Sequence, residues 1–152
     1  MNVVAVPGSL DHQTVDGLLD AVAAMQEQRS LFDARHVRWI DPNGMVALLA
    51  AGSVARDRQG ALPRLELPES VDVLGYLSRM GFFREAQGIF DFDGHPPRRA
   101  SGTSDVLLEI TQIQGNADVH KVIDRVQSGT GAVLASKLHY PATAVVPFSV
   151  IL

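Results

Sequence analysis

Leu31-Phe32-Asp33-Ala34-Arg35-His36-Val37-Arg38-Trp39-Ile40-Asp41-Pro42-Asn43-Gly44-Met45-Val46-Ala47-Leu48-Leu49 decides how the chain reads. Leu31 to Ala34 has strand composition. Arg35 to Arg38 reads as an irregular bridge, and Trp39-Ile40 resumes the apolar pattern. Asp41-Pro42-Asn43-Gly44 is the sharpest punctuation in the sequence. Asp is a favoured helix N-cap because its carboxylate accepts a free backbone N–H, and Pro suits the first helical position because it has no N–H to satisfy. A helix is therefore expected from Pro42. Met45 to Ala55 is apolar nearly all round, which predicts burial under a sheet, and Gly60 is placed as the C-terminal stop.

The flanks extend the alternation. Val3 to Val6 is β-branched and closes at Pro7-Gly8, the expected first strand. Residues 13–28 read as a helix, with Val15, Leu18, Leu19, Val22 and Met25 on one apolar face. Arg64-Leu65-Glu66-Leu67-Pro68 alternates like a half-buried strand. Glu69 to Met80 predicts a further helix, with Val73, Leu74, Leu77 and Met80 inward; Gly81 ends it and Phe82 and Phe83 cover the core. Strand and helix alternate three times, so the fold class is α/β with mostly parallel or mixed strands.

The segment Asp91 to Ser104 carries Gly94, Pro96, Pro97, Arg98, Arg99 and Gly102 without periodicity, which is linker composition. Val106, Leu108 and Ile110 then predict another strand. Asn116 stands as the cap of a long amphipathic helix to about Lys137, marked by Val119, Val122, Ile123, Val126, Val133 and Leu134. Gly129-Thr130-Gly131 is expected to loosen or kink it, since each Gly costs ~1 kcal/mol against Ala. Val145 to Leu152 is apolar and stops in mid-pattern, so the chain is expected to be cut there. An uncovered apolar tail seeks a partner, which predicts a homo-dimer.

Composition excludes several classes. The 152 residues suit one domain and a remainder. Hydrophobic residues make up 46% and charged residues 20%, enough apolar content to build a core. Lys and Arg number 13 against 17 Asp and Glu, a net −4 that argues against nucleic acid. No Cys is present, which removes thiol nucleophiles and disulfides. The longest apolar run, Met45 to Ala51, is far short of the ~20 residues of a membrane span, and the N-terminus lacks a basic region before its apolar residues. The expectation is a cytoplasmic protein with no membrane association.

Two resemblances become visible on these residues. Residues 1–90, through Leu31-Phe32-Asp33-Ala34, Trp39-Ile40-Asp41-Pro42-Asn43-Gly44 and the apolar helix after it, resemble the STAS domain of bacterial anti-sigma factor antagonists and sulfate-transporter tails. That family opens the helix with Asp-Ser-Ser-Gly. Asp41 and Gly44 match, Pro42 replaces the first Ser, and Asn43 replaces the phosphorylatable residue. Asn has no hydroxyl, so the phosphoryl switch, which adds about −1.5 to −2 charges, has no acceptor here. The resemblance implies a STAS-like sheet with helices packed on it. It also implies a protein-binding role for Asp41, Pro42, Asn43, Gly44 and Met45 toward a kinase-like regulator or sigma-pathway component. Residues 91–104 form the linker. Residues 105–152, through Asp105 to Thr111, Asp118-Val119-His120 and Leu138-His139-Tyr140, resemble the start of a histidine-kinase-like ATPase domain. That second resemblance implies a partial domain, a C-terminal strand and helices, ending before the residues that hold magnesium and nucleotide.

Each candidate has a plainer reading beside it. Capping alone explains Asp41-Pro42. The same helix N-terminus presents free N–H groups to an anion, which Asp41 would itself repel. Arg35-His36 and Arg38-Trp39 read as a recognition patch or as the rim of the core. His120 and Asp124 sit four apart, as in an ion pair, and lack the third ligand that a metal needs. His12, His95 and His139 fall at turns, Asp91 and Asp93 flank the linker, and Ser53 has no His or Asp at useful spacing. No catalytic set remains, so the expectation is a non-enzymatic interaction module without cofactor or metal. The alternative is the regulatory front part of an ATP-binding anti-sigma-type serine kinase or ATPase. A third option is a small-ligand sensor using a sheet–helix cleft.

Overall fold

Phe32 anchors the fold. It lies on β3 (Ser30–Asp33), between β1 (Asn2–Ala5) and β5 (Arg64–Glu66), both parallel to it. The register sets Val4 beside Phe32, Phe32 beside Leu65, and Leu65 beside Phe92 of β6 (Asp91–Asp93). Side chains in register share a face, so these four form one row across the sheet, ordered β1-β3-β5-β6. Val4, Phe32 and Leu65 are buried in that row. The opposite row of Val3, Leu31, Arg64 and Asp91 leaves Val3, Arg64 and Asp91 exposed. Helices therefore cover one face, and ion pairs lace the other.

The computed structural model describes residues 1–26, 28–97 and 109–137. They fall in two units, Met1–Ser101 and Gly102–Leu152. The first is an α/β unit with a parallel sheet, as the alternation predicts. Two short parallel strands, β2 (Ser9–Leu10) and β4 (Trp39–Ile40), pair separately from the main sheet. Strands of two residues leave no periodicity in the sequence to mark them. The pair holds Leu10 and Ile40 in the core, beside the start of α2 (Pro42–Gln59).

α1 (Val15–Ala23) is shorter than the expected 13–28. At its start the side chains turn inward on the backbone: Asp11 Oδ1 accepts from the Gln13 N–H at 3.0 Å, and the Thr14 hydroxyl donates to the Ser9 carbonyl at 2.8 Å. At its end the Arg58 guanidinium from α2 donates to the carbonyls of Val22 and Ala23 at 3.0 and 3.3 Å. A cation on the last carbonyls closes a helix, as the helix dipole favours.

α2 begins as expected and ends at Gly60, whose φ of +65° fits the left-handed cap. Its burial departs from expectation. Met45, Leu48, Leu49, Ala51, Gly52 and Ala55 face the core, while Val46, Ala50 and Val54 form an exposed line. The helix is covered on one side only. α3 (Val71–Arg79) starts at Ser70, whose hydroxyl accepts from the Val73 N–H at 3.4 Å. Gly81, at φ +76°, lets the chain turn directly into α4 (Phe82–Ala86). Phe82, Phe83 and Phe92 stack edge to face in sequence, and Phe90 meets Phe32 likewise with centroids 5.3 Å apart.

The expected linker from Asp91 is corrected at its start. Asp91 to Asp93 is an edge strand: the Asp91 N–H reaches the Pro63 carbonyl at 2.9 Å, and Asp93 pairs with Arg64 at 2.6 Å. Polar residues alternating around one Phe suit an edge with a single buried row. The Gly- and Pro-rich character begins only at Gly94. In the second unit, α5 (Asn116–Lys137) starts at Asn116 itself, the residue expected to cap it, and is helical to the last described residue. The helix continues through Gly129-Thr130-Gly131, so the intrinsic cost of two Gly does not end it there. Asp118 in its first turn accepts from the Gln114 N–H at 3.2 Å and pairs with Lys121. The strand expected at Val106 to Ile110 falls mostly outside the described residues, and Glu109 and Ile110 carry no regular structure.

Candidate functional site

The loop from Asp41 to Met45 is built from its hydrogen bonds upward. The Asp41 N–H donates to the Leu10 carbonyl at 3.2 Å, which hangs the loop on β2. Asp41 is extended, with φ −101° and ψ 172°, and its Oδ1 accepts from the Gly44 N–H at 2.7 Å while its carbonyl accepts from Met45 at 3.0 Å. This is a complete N-cap with Pro42 at the first helical position.

The five residues divide by exposure. Pro42 and Asn43 face solvent and Asp41 is half-buried. Gly44 and Met45 are buried, Met45 completely, so neither offers a side chain to a partner. Both pack against the core. Asn43 leads instead into the exposed line of Val46, Ala50 and Val54 on α2. That line was not legible in the sequence, because a helix apolar on all sides does not show which side the sheet covers.

A cleft of about 320 Å³ opens beside the loop, between the β4–α2 junction and α3. Ile40 and Val73 lie buried in it, Trp39 and Tyr76 are its aromatic residues and Asp41 and Asp72 its acidic ones, in a mostly apolar lining. Trp39 is 62% exposed, so the rim reading of Arg38-Trp39 describes its position. Tyr76 and Asp72 lie more than thirty positions along the chain, and no local sequence signal links them to Trp39. A larger pocket of about 630 Å³, beside Phe83, Arg84 and Phe92, shares no residue with the loop.

Charges near the loop are mutually engaged. Arg35 joins Asp33 at 2.8 Å and Glu66 at 3.0 Å, across the carboxyl ends of β3 and β5. The Arg35 hydrogen bond holds the Asp33 carboxyl down at about 2, and the two acids raise Arg35 in turn. Arg38 pairs with Glu69 at 3.6 Å. Ser9 donates to Asp11 and lowers that carboxyl as well. Arg35 thus clamps the carboxyl ends of β3 and β5 together.

The other candidates are scattered. His12, His36, His95, His120 and Asp124 are exposed, and Ser53 accepts from Arg56 at 3.2 Å. Among the described residues, no three His, Asp or Glu come together to hold a metal ion, and no helix is long and apolar enough to cross a membrane. His139 and the Val145 to Leu152 segment behind the expected homo-dimer lie outside the described residues. No protein-family model matches the chain, and no curated protein or solved structure matches it.

Proposed function

We propose that the sheet-and-helix unit is a non-catalytic, STAS-type interaction module of bacterial signalling, docking a kinase-like regulator without being phosphorylated by it. The observation that carries this reading is the solvent-facing Pro42–Asn43 step on the first turn of α2, continuous with exposed Val46, Ala50 and Val54. An apolar line beginning at a capped helix end gives a partner a surface with fixed geometry. Asn43 supplies a polar contact there that no kinase can charge, so binding is constitutive where a Ser would make it switchable.

The test uses a purified anti-sigma-type serine kinase with ATP. The native chain binds it, in a titration followed by calorimetry, and takes up no phosphate. Val46→Asp on the exposed line abolishes binding with the fold retained, and Asn43→Ser acquires label at position 43. Phosphate found between Asp41 and Met45 of the native chain, or binding unaffected by Val46→Asp, overturns the proposal.

A further inference from the structure

The geometry points to a cation pocket beside the docking loop: the cleft between Trp39 and Tyr76 takes an arginine side chain presented by the partner. This inference rests on the docking role proposed above and adds the chemistry that recognises the partner. Four features of the cleft argue for it.

The floor is apolar, since Ile40 and Val73 are 4% and 5% exposed, which suits an alkyl stem. The aromatic residues Trp39 and Tyr76 supply negative π-faces, on which a guanidinium stacks more readily than an ammonium. Asp41 and Asp72 are the acidic residues of a mostly apolar lining, and the Asp41 carboxylate also caps the Gly44 N–H at 2.7 Å. The lining cation, Arg38, is already held by Glu69 at 3.6 Å and donates to the Arg35 carbonyl at 3.0 Å. Two acids against one cation leave the lining residues with a net charge of −1, so an anion is disfavoured although the N-terminus of α2 lies next to it. The volume of about 320 Å³ lies at the small end of the ~300–1,000 Å³ span of ligand pockets, suited to one side chain.

Trp39 is the single tryptophan of the chain, so its fluorescence reports on this cleft alone. The full chain is titrated with three capped tripeptides, Gly-X-Gly, in which X is arginine, its neutral isostere citrulline, or glutamate. The arginine peptide is expected to shift Trp39 emission saturably, citrulline about tenfold more weakly, and glutamate not at all. Asp72→Asn and Tyr76→Leu, both retaining Trp39, should each weaken the arginine peptide about threefold to fivefold with the far-ultraviolet spectrum unchanged. Equal response to citrulline, or no saturation by about 10 mM peptide, overturns the inference. Ethylguanidinium binding as tightly as the peptide also overturns it, because the site would then serve a free small cation. If the peptide fails while the kinase still binds and loses binding on Val46→Asp, the cation pocket falls and the docking role stands.

Discussion

Gly44 packs against the backbone of Leu10. A β-carbon at position 44 would stand 2.8 Å from the Leu10 carbonyl carbon and closer still to its oxygen. Leu10 is fully buried and its carbonyl already accepts from Asp41, so β2 cannot withdraw without releasing the loop. The glycine is thus a spacing element: it allows the first turn of α2 to lie directly on a strand.

Gly44→Ala is therefore expected to destabilise the first unit by about 1–3 kcal/mol through overpacking against a backbone that cannot yield. Gly17→Ala is the matched control. Gly17 lies exposed inside α1 with open space around it, and the same methyl should stabilise by about 0.4–1 kcal/mol. Chemical denaturation of both variants measures the contrast.

Asp41→Ala removes the acceptor of the Gly44 N–H and should cost about 1 kcal/mol, within the usual range for a lost N-cap. Asp41→Asn keeps an acceptor oxygen and should restore most of the stability. Equal losses in both variants would show that charge, and not capping, is the contribution of Asp41.

Acid sensitivity should trace to the Asp33–Arg35 pair. The folded-state value of Asp33 lies near 2, below its unfolded value. Its stabilisation is therefore complete above the unfolded value near 4 and is lost as pH falls toward 2. Arg35 is half exposed, so the effect is screened by solvent. Arg35→Met should flatten the stability profile between pH 5 and 2 relative to the native chain; an unchanged slope would assign the acid transition to other carboxylates.

Arg58→Met should fray the end of α1 by exposing the carbonyls of Val22 and Ala23, with faster amide exchange in its last turn as the readout. Arg58→Lys should protect partially, since a point charge replaces only part of the planar donor set. Faster exchange spread evenly over the whole unit would instead signal global destabilisation.

Local chemistry was legible where one residue type has one physical use. Asp41-Pro42 announces α2, Gly60 ends it, and the sequence around Asn116 marks the start of α5. Features that depend on distant partners were not. β2 and β4 are two residues each and exist because they pair with one another. β6 hid among turn-forming residues, because Asp-Phe-Asp reads as solvated until Arg64 and Leu65 lie beside it. The cleft is the same kind of case, as Trp39 and Tyr76 come to line one cleft only through the packing of α3 beside the β4–α2 junction. Even the site loop was half legible: its cap was in the sequence, while the burial of Met45 and the exposure of Val46 depend on where the sheet lies.

The edge strand Asp91–Asp93 fixes where this module can be separated from whatever follows it. A gene fusion or expression boundary drawn at residue 90 would strip β5 of its neighbour and remove Phe92 from against Phe83. The raw strand edge left behind is a template for unwanted pairing between molecules. A joint placed after Gly94 keeps the fourth strand, so the transferable unit is a few residues longer than its helices and strong motifs suggest.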